Sequence, residues 1–379
     1  MDLIRTNRDV RVDFFRGCAL WWIFVDHIPG NVVADYTLHN FALCDAAEMF
    51  VFLAGYGAAL AYGRAMDRHG WLYGAADALR RAGVLYVAHI FLFVVFSAQV
   101  SYSATALERS NYLDEIHLDV MADAPYRALF EALTLRYQPS FLNILPMYVV
   151  ALAMFAAAMP LLHRPRLLAA LSLALYLAAR IFGWNLPAWN ADGWYFNPLT
   201  WQLLFTMGAI LAYTPMKLPA RAYILDILAW VVVAAGLIIT SLWRRPDVLA
   251  ALPNGIGRVL LSVDKTGLHP LRLISILALV WLAARLIPEH AAWLRSHGAA
   301  PLVLIGQHSL PVFCAGIFLS FLGRLAMEAS DGAPMQVAVN LIGLAALIAV
   351  GTLSAWYREK GRAVSHRPDM RAVPRSDPG

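Results

Sequence analysis

The sequence predicts an all-α, polytopic integral membrane protein of about ten transmembrane helices, with both termini on the cytoplasmic side. Three observations predict it. Hydrophobic residues make up 60% of the 379 positions and charged ones only 15%, which is too apolar and too weakly charged for an ordinary soluble domain. Apolar runs near the ~20 residues that a ~30 Å hydrocarbon core requires recur along the chain. With both termini inside, most of the 30 Lys and Arg residues fall on the inner side. The two short outer loops, 34–43 and 184–197, carry none, as the positive-inside rule demands.

The expected spans are 12–33, 44–63, 81–100, 141–162, 166–183, 198–214, 221–243, 270–288, 300–325 and 335–357. Together they make residues 1–357 one membrane-embedded domain, followed by a disordered basic tail at 358–379. The net charge of +5 needs no nucleic-acid partner, because it lies where anionic inner-leaflet lipids attract it. Cys18, Cys44 and Cys314 fall within or at the ends of spans and offer neither metal-ligand spacing nor a disulfide framework. The N-terminal stretch lacks the short apolar region and small-residue cleavage site of a signal peptide.

The first span carries Arg16 and the pair Asp26-His27 inside an apolar run. His27 lies eleven positions after Arg16, about 20° past three full turns and about 16 Å along the axis. Both therefore project from nearly one face. A charge at the membrane centre costs roughly 2.5–3.5 kcal/mol even on the lenient insertion scale, so the protein interior must receive them. Pro29-Gly30-Asn31 then breaks the helix, leaving His27 near an outer mouth.

The second span opens with Asp45 and Glu48 three apart on one face, at about the depth of His27. A histidine with several carboxylates at one level is the strongest constellation in the chain. Buried ion pairs that fix helix packing are the plain alternative. In the third span, Arg80 and Arg81 serve as inner-surface anchors or hold a phosphate-rich ligand, and His89 reads as a core histidine or a ligand contact.

Residues 101–140 form the longest outer segment, in which 126–133 has the spacing of a surface amphipathic helix. The fourth span opens with Phe141 and Asn143. Before the sixth span, Trp184, Trp189, Trp194, Tyr195, Phe196 and Trp201 gather around Asn197 and Gln202. An interfacial aromatic belt explains them, and so does carbohydrate recognition, since indole faces stack on sugar C–H faces. Segment 244–269 places Lys265 on the outer side against the charge rule, as a re-entrant stretch would. The ninth span is interrupted around His308, Ser309 and Pro311, where the proline frees a backbone carbonyl. No internal repeat is evident.

These residues resemble the OpgC-type membrane succinyltransferases that decorate osmoregulated periplasmic glucans, within a wider group of integral-membrane acyltransferases. The resemblance runs through Arg11–Gly17, Asp26–Asn31, Asp45–Tyr56, Ile144–Tyr148, Trp194–Pro198 and Trp201–Phe205. It implies ten spans in the bacterial inner membrane, a cytosolic acyl-CoA donor and an extracytoplasmic hydroxyl acceptor. His27 matches the histidine taken as catalytic, and Arg16 its basic partner. The wider group also carries an Arg-x-x-Arg pair in the third span. Here Arg80 or Arg81 supplies the first member, but Gly83 and Val84 stand three positions on.

The expected chemistry is O-acylation, with His27 as general base for the attacking sugar hydroxyl. Asp26 points about 100° away from it on the helix, so Glu48 or Asp45 is the expected orienting carboxylate. Arg16 would bind negative charge on the donor. Arg80, Arg81, His89, Asn143, Trp194, Asn197, Gln202, Lys265, His308 and Ser309 complete the expected contacts to acyl-CoA and glucan. Acyl-CoA, succinyl-CoA by resemblance, is a co-substrate, and neither a resident cofactor nor a metal is expected. The sequence leaves open direct transfer against an acyl-histidine intermediate, and also a homo-oligomeric state. The rival class is a transporter of a proton, small anion or acyl group through the same polar core.

Overall fold

Asp9 starts the first helix by accepting the Arg11 backbone N–H on its carboxylate, and α1 runs from Val10 to Asp26. It stops well before the expected end at residue 33. His27 leaves helical geometry at φ −89°, ψ 4°, and Gly30 at φ +74° turns the chain into a short 3-10 segment, Val32–Tyr36. The computed structural model describes residues 9–214, 222–245, 247–248, 257 and 262–365. Half of segment 244–269, the first eight residues and the chain after Ser365 lie outside the described residues.

The remaining long helices follow in order: α2 (Ala46–His69) and α3 (Trp71–Ala106), then α4 (Ile144–His163) and α5 (Pro165–Phe182). After them come α6 (Pro198–Tyr213), α7 (Tyr223–Trp243) and α8 (Pro270–Leu286). The last three are α9 (Ala300–Gln307), α10 (Ser309–Ala329) and α11 (Ala333–Ser365). No strand occurs among the described residues. Seven of these helices are long and apolar enough to cross a membrane. The other helices are 17 residues or shorter: α1, α6 and α8 have 17, 16 and 17, and α9 has eight.

Two boundaries differ from expectation for a shared reason, since helix that carries charged and hydroxyl side chains leaves no continuous apolar signature. Helix α3 spans 36 residues rather than the 20 of 81–100. Helix α11 continues to Ser365, so the domain boundary expected at 357/358 falls inside a helix. In the ninth span the break lies at His308, with φ −117° and ψ 40°, and Pro311 stands in the first turn of α10. A first-turn N–H has no helical acceptor in any case, so the proline costs little there. Between α3 and α4, the amphipathic helix anticipated over 126–133 is present as Pro125–Leu133.

Helices surrounded by lipid gain nothing from hiding apolar surface from one another, so close backbone approach carries the packing. Two reciprocal glycine contacts provide it. A Cβ on Gly17 would overlap the Leu302 carbonyl, and one on Gly306 the Asp13 carbonyl, which locks α1 to α9. Gly55 against Phe205 and Gly208 against Phe52 do the same for α2 and α6. Helices α1, α2, α6, α9 and α10 thus form the inner bundle, with α3 and α4 packed beside it. Helix α7 stands at the edge and turns Ile224, Ile227, Leu228 and Val231 outward.

Candidate functional site

The C-terminal ends of α1 and α7 and the N-terminal ends of α2, α4 and α8 meet around a cavity of about 630 Å³. Its wall includes Asp26, His27, Asp45, Asn143 and Lys265, so five of the sequence candidates converge from four distant stretches of chain. Three helix N-termini face this region, and each carries a partial positive charge from its unpaired N–H groups.

His27 Nδ1 lies 2.6 Å from the carbonyl oxygen of Ile23, one turn back in the same chain. A carbonyl only accepts, so Nδ1 carries the proton, and Nε2 of the neutral ring is the bare lone pair. The Phe141 ring meets the imidazole edge-on at 4.3 Å and fixes its plane. Phe141 adopts φ +72° to do so, a left-handed conformation that a bulky residue holds only when its surroundings enforce it. Beside the ring, Asp26 accepts the Thr37 hydroxyl at 2.6 Å and lies 3.5 Å from His39 Nδ1.

The carboxylates expected to orient His27 are engaged elsewhere. Asp45 and Glu48 form a capping box at the start of α2: Asp45 accepts the Ala47 N–H at 2.8 Å and Glu48 the Asp45 N–H at 2.9 Å. Lys265 Nζ reaches Asp45 Oδ2 at 2.6 Å, and Arg272 bridges both acids, at 2.9 Å to Asp45 and 2.6 Å to Glu48. The Ile23 carbonyl therefore takes the orienting role assigned to Glu48 or Asp45. The Lys265 and Arg272 charges thus neutralise the buried Asp45 and Glu48 carboxylates. Burial opposes the Lys265 ammonium, and Asp45 and Glu48 hold it above its ordinary value.

A second cavity, of about 710 Å³, adjoins the first. Trp194, Asn197 and Asn143 belong to its wall. Asn197 caps α6 by accepting the Leu199 N–H at 3.0 Å and donates to the Trp184 carbonyl at 2.7 Å. Trp194 Nε1 donates to the Pro187 carbonyl at 3.1 Å.

Other candidates lie apart from both cavities. Arg16 donates to the Leu53 carbonyl at 2.9 Å, between α1 and α2. Arg80 is exposed beside Asp77, and Arg81 follows it on α3. His89 is fully buried in α3 with no partner for either ring nitrogen. The Gln202 amide is consumed by Ser172, accepting its hydroxyl at 2.6 Å and donating to its carbonyl at 2.9 Å. This joins α5 to α6 in place of a substrate contact. His308 meets Arg358 at 3.0 Å, and Ser309 follows it as the first residue of α10.

Sequence reasoning missed Arg272, Phe141 as a partner of the imidazole, and the Ile23 carbonyl. Arg272 had a signal: a guanidinium three residues into an apolar span requires buried acids at its own depth.

Fold and site together define a helical protein of membrane type, with a polar, histidine-bearing cavity at one end of its bundle. The chain belongs to the OpgC protein family, whose model matches residues 8–359, nearly its whole length. Membership supports a part in modifying osmoregulated periplasmic glucans. No curated protein and no solved structure matches the chain.

Proposed function

We propose that this protein is an inner-membrane O-acyltransferase that moves an acyl group, succinyl by family resemblance, from cytosolic acyl-CoA to hydroxyls of a periplasmic glucan. In this reading the chain crosses the membrane ten times, both termini are cytoplasmic, and the cavity around His27 opens to the periplasm. The observation that carries it is the imidazole itself, whose Nδ1 is committed to Ile23 while Nε2 is left as a base in a polar cavity.

His27 Nε2 takes the proton of a sugar hydroxyl as its oxygen attacks the thioester carbon. The new C–O bond forms, the C–S bond breaks, and the imidazolium returns the proton to the departing thiolate. Products are the glucan ester and free coenzyme A. Negative charge on the carbonyl oxygen is favoured by the Lys265 ammonium and by the helix N-termini around the cavity. Asp26 stabilises the imidazolium from the same wall. Arg16, about 16 Å back along α1, suits an anionic part of the donor that enters from the inner side.

Mass spectrometry of periplasmic glucans tests this reading. Glucans from a deletion strain should lack the acyl ester, and plasmid-borne wild-type protein should restore it. Identical glucans with and without the gene would overturn it.

A further inference from the structure

We infer that the second cavity is a carbohydrate cleft that holds several consecutive sugar units of the acceptor, and that His117, Ser140, Asn143 and Tyr195 form the passage by which one hydroxyl reaches His27. These four residues line both cavities, so the two spaces share a wall. The acceptor's identity rests on the acyltransferase reading, whereas the cleft rests on its own chemistry.

That chemistry suits neutral, hydroxyl-rich rings. Trp184 is 51% exposed on the cleft wall. Its indole is stacked on Phe182 at 5.4 Å and 27°, which supports one face and leaves the other for a ligand. Tyr195, 48% exposed, stands at the passage, so aromatic surface is spread along the cleft rather than gathered at one point. Gln138 lines the same cleft with its Oε1 buried and without a hydrogen-bond donor, while its Nε2 is used by the Leu135 carbonyl. A ligand hydroxyl supplies the missing donor.

Charge argues against a phosphate-rich ligand here. Three carboxylates (Asp119, Asp192 and Asp264) line the cleft against two guanidiniums, Arg136 and Arg180. Arg180 is already bound to Asp264 at 3.2 Å and to the Gly267 carbonyl at 2.8 Å, and Arg136 lies 3.4 Å from Glu131. The platform is also built rather than loose. The Trp189 N–H donates to the Arg136 carbonyl at 2.7 Å and the Trp194 N–H to the Leu186 carbonyl at 3.2 Å. The Asn185 amide donates to the Trp194 carbonyl at 2.9 Å, and a Cβ on Gly193 would run into that amide.

Calorimetric titration of the detergent-solubilised His27→Ala chain with linear glucose oligomers of one to six units tests the cleft without turnover. Affinity should rise about tenfold or more from glucose to the tetramer. Trp184→Ala should remove most of that gain while leaving the weak binding of glucose unchanged. Gln138→Leu, which keeps the side chain's bulk and removes its acceptor, should weaken the tetramer at least threefold. Affinity independent of length, or a length gain that survives both substitutions in chains that elute as folded monodisperse protein, would overturn the inference. If wild-type protein transfers no acyl group yet oligomer binding keeps its length dependence, the cleft stands and the transferase reading fails.

Discussion

His27 Nδ1 and the Ile23 carbonyl oxygen stand 2.6 Å apart, one helical turn from each other at the C-terminal end of α1. This bond does for the imidazole what a carboxylate does in hydrolase triads, holding one tautomer and one orientation. It adds no negative charge, so in the proposed mechanism stabilisation of the imidazolium falls to Asp26 on the same cavity wall, because Asp45 is already paired with Lys265 and Arg272.

Transfer should depend on pH through a single acid limb. A base works only as the neutral ring, so the initial rate should fall by about tenfold per pH unit below the ionisation of His27 and level off above it. Rates of labelled acyl transfer followed from about pH 3 to 9, with the fold checked at each pH, test this. Folded protein with no acid limb anywhere in that range excludes an imidazole base.

Glu48→Ala should destabilise the protein strongly. The acid is fully buried and shares Arg272 with Asp45. Removing one partner of a buried pair typically costs about 3–5 kcal/mol, whereas replacing both by apolar residues is often neutral. Thermal unfolding in detergent should therefore show a large loss for Glu48→Ala and partial recovery for Glu48→Leu with Arg272→Met. Equal losses for the two constructions would mean that the charge balance is irrelevant.

Gly306→Ala and Gly17→Ala should each separate α1 from α9. The added methyl meets backbone, which cannot rotate away, so the cost should reach or exceed the roughly 1–3 kcal/mol typical of an overfilled core. Folded yield after membrane extraction measures it. Wild-type yield for both variants would contradict the close approach.

Transport and transfer make opposite predictions in sealed vesicles. An acyltransferase should leave label on glucan with stoichiometric free coenzyme A, and should not accumulate free succinate or protons inside. Uptake without covalent transfer would favour a transporter built on the same polar core.

The helices were legible because apolar runs of membrane length leave little else for a chain to do. Their ends were less so: Asp77, Arg80 and Arg81 interrupt the apolar signal near the start of α3, and the last turns of α11 are charged. In the site, the eleven-residue step from Arg16 to His27 singled out a helix whose end lines the cavity, and Asp45 and Lys265 reach the same cavity. The partners of Glu48 did not follow from local spacing, because Arg272 is 224 positions away. Gln202 read as a sugar contact from its aromatic neighbours, but its neighbour in space is Ser172 on the preceding helix.

The most direct test measures labelled succinyl transfer from succinyl-CoA to periplasmic glucan by purified protein in nanodiscs, wild type against His27→Ala. The account predicts ester formation by wild type and a loss of about 10²-fold or more in the variant, with its elution and unfolding temperature unchanged. Transfer by His27→Ala at close to the wild-type rate would contradict it.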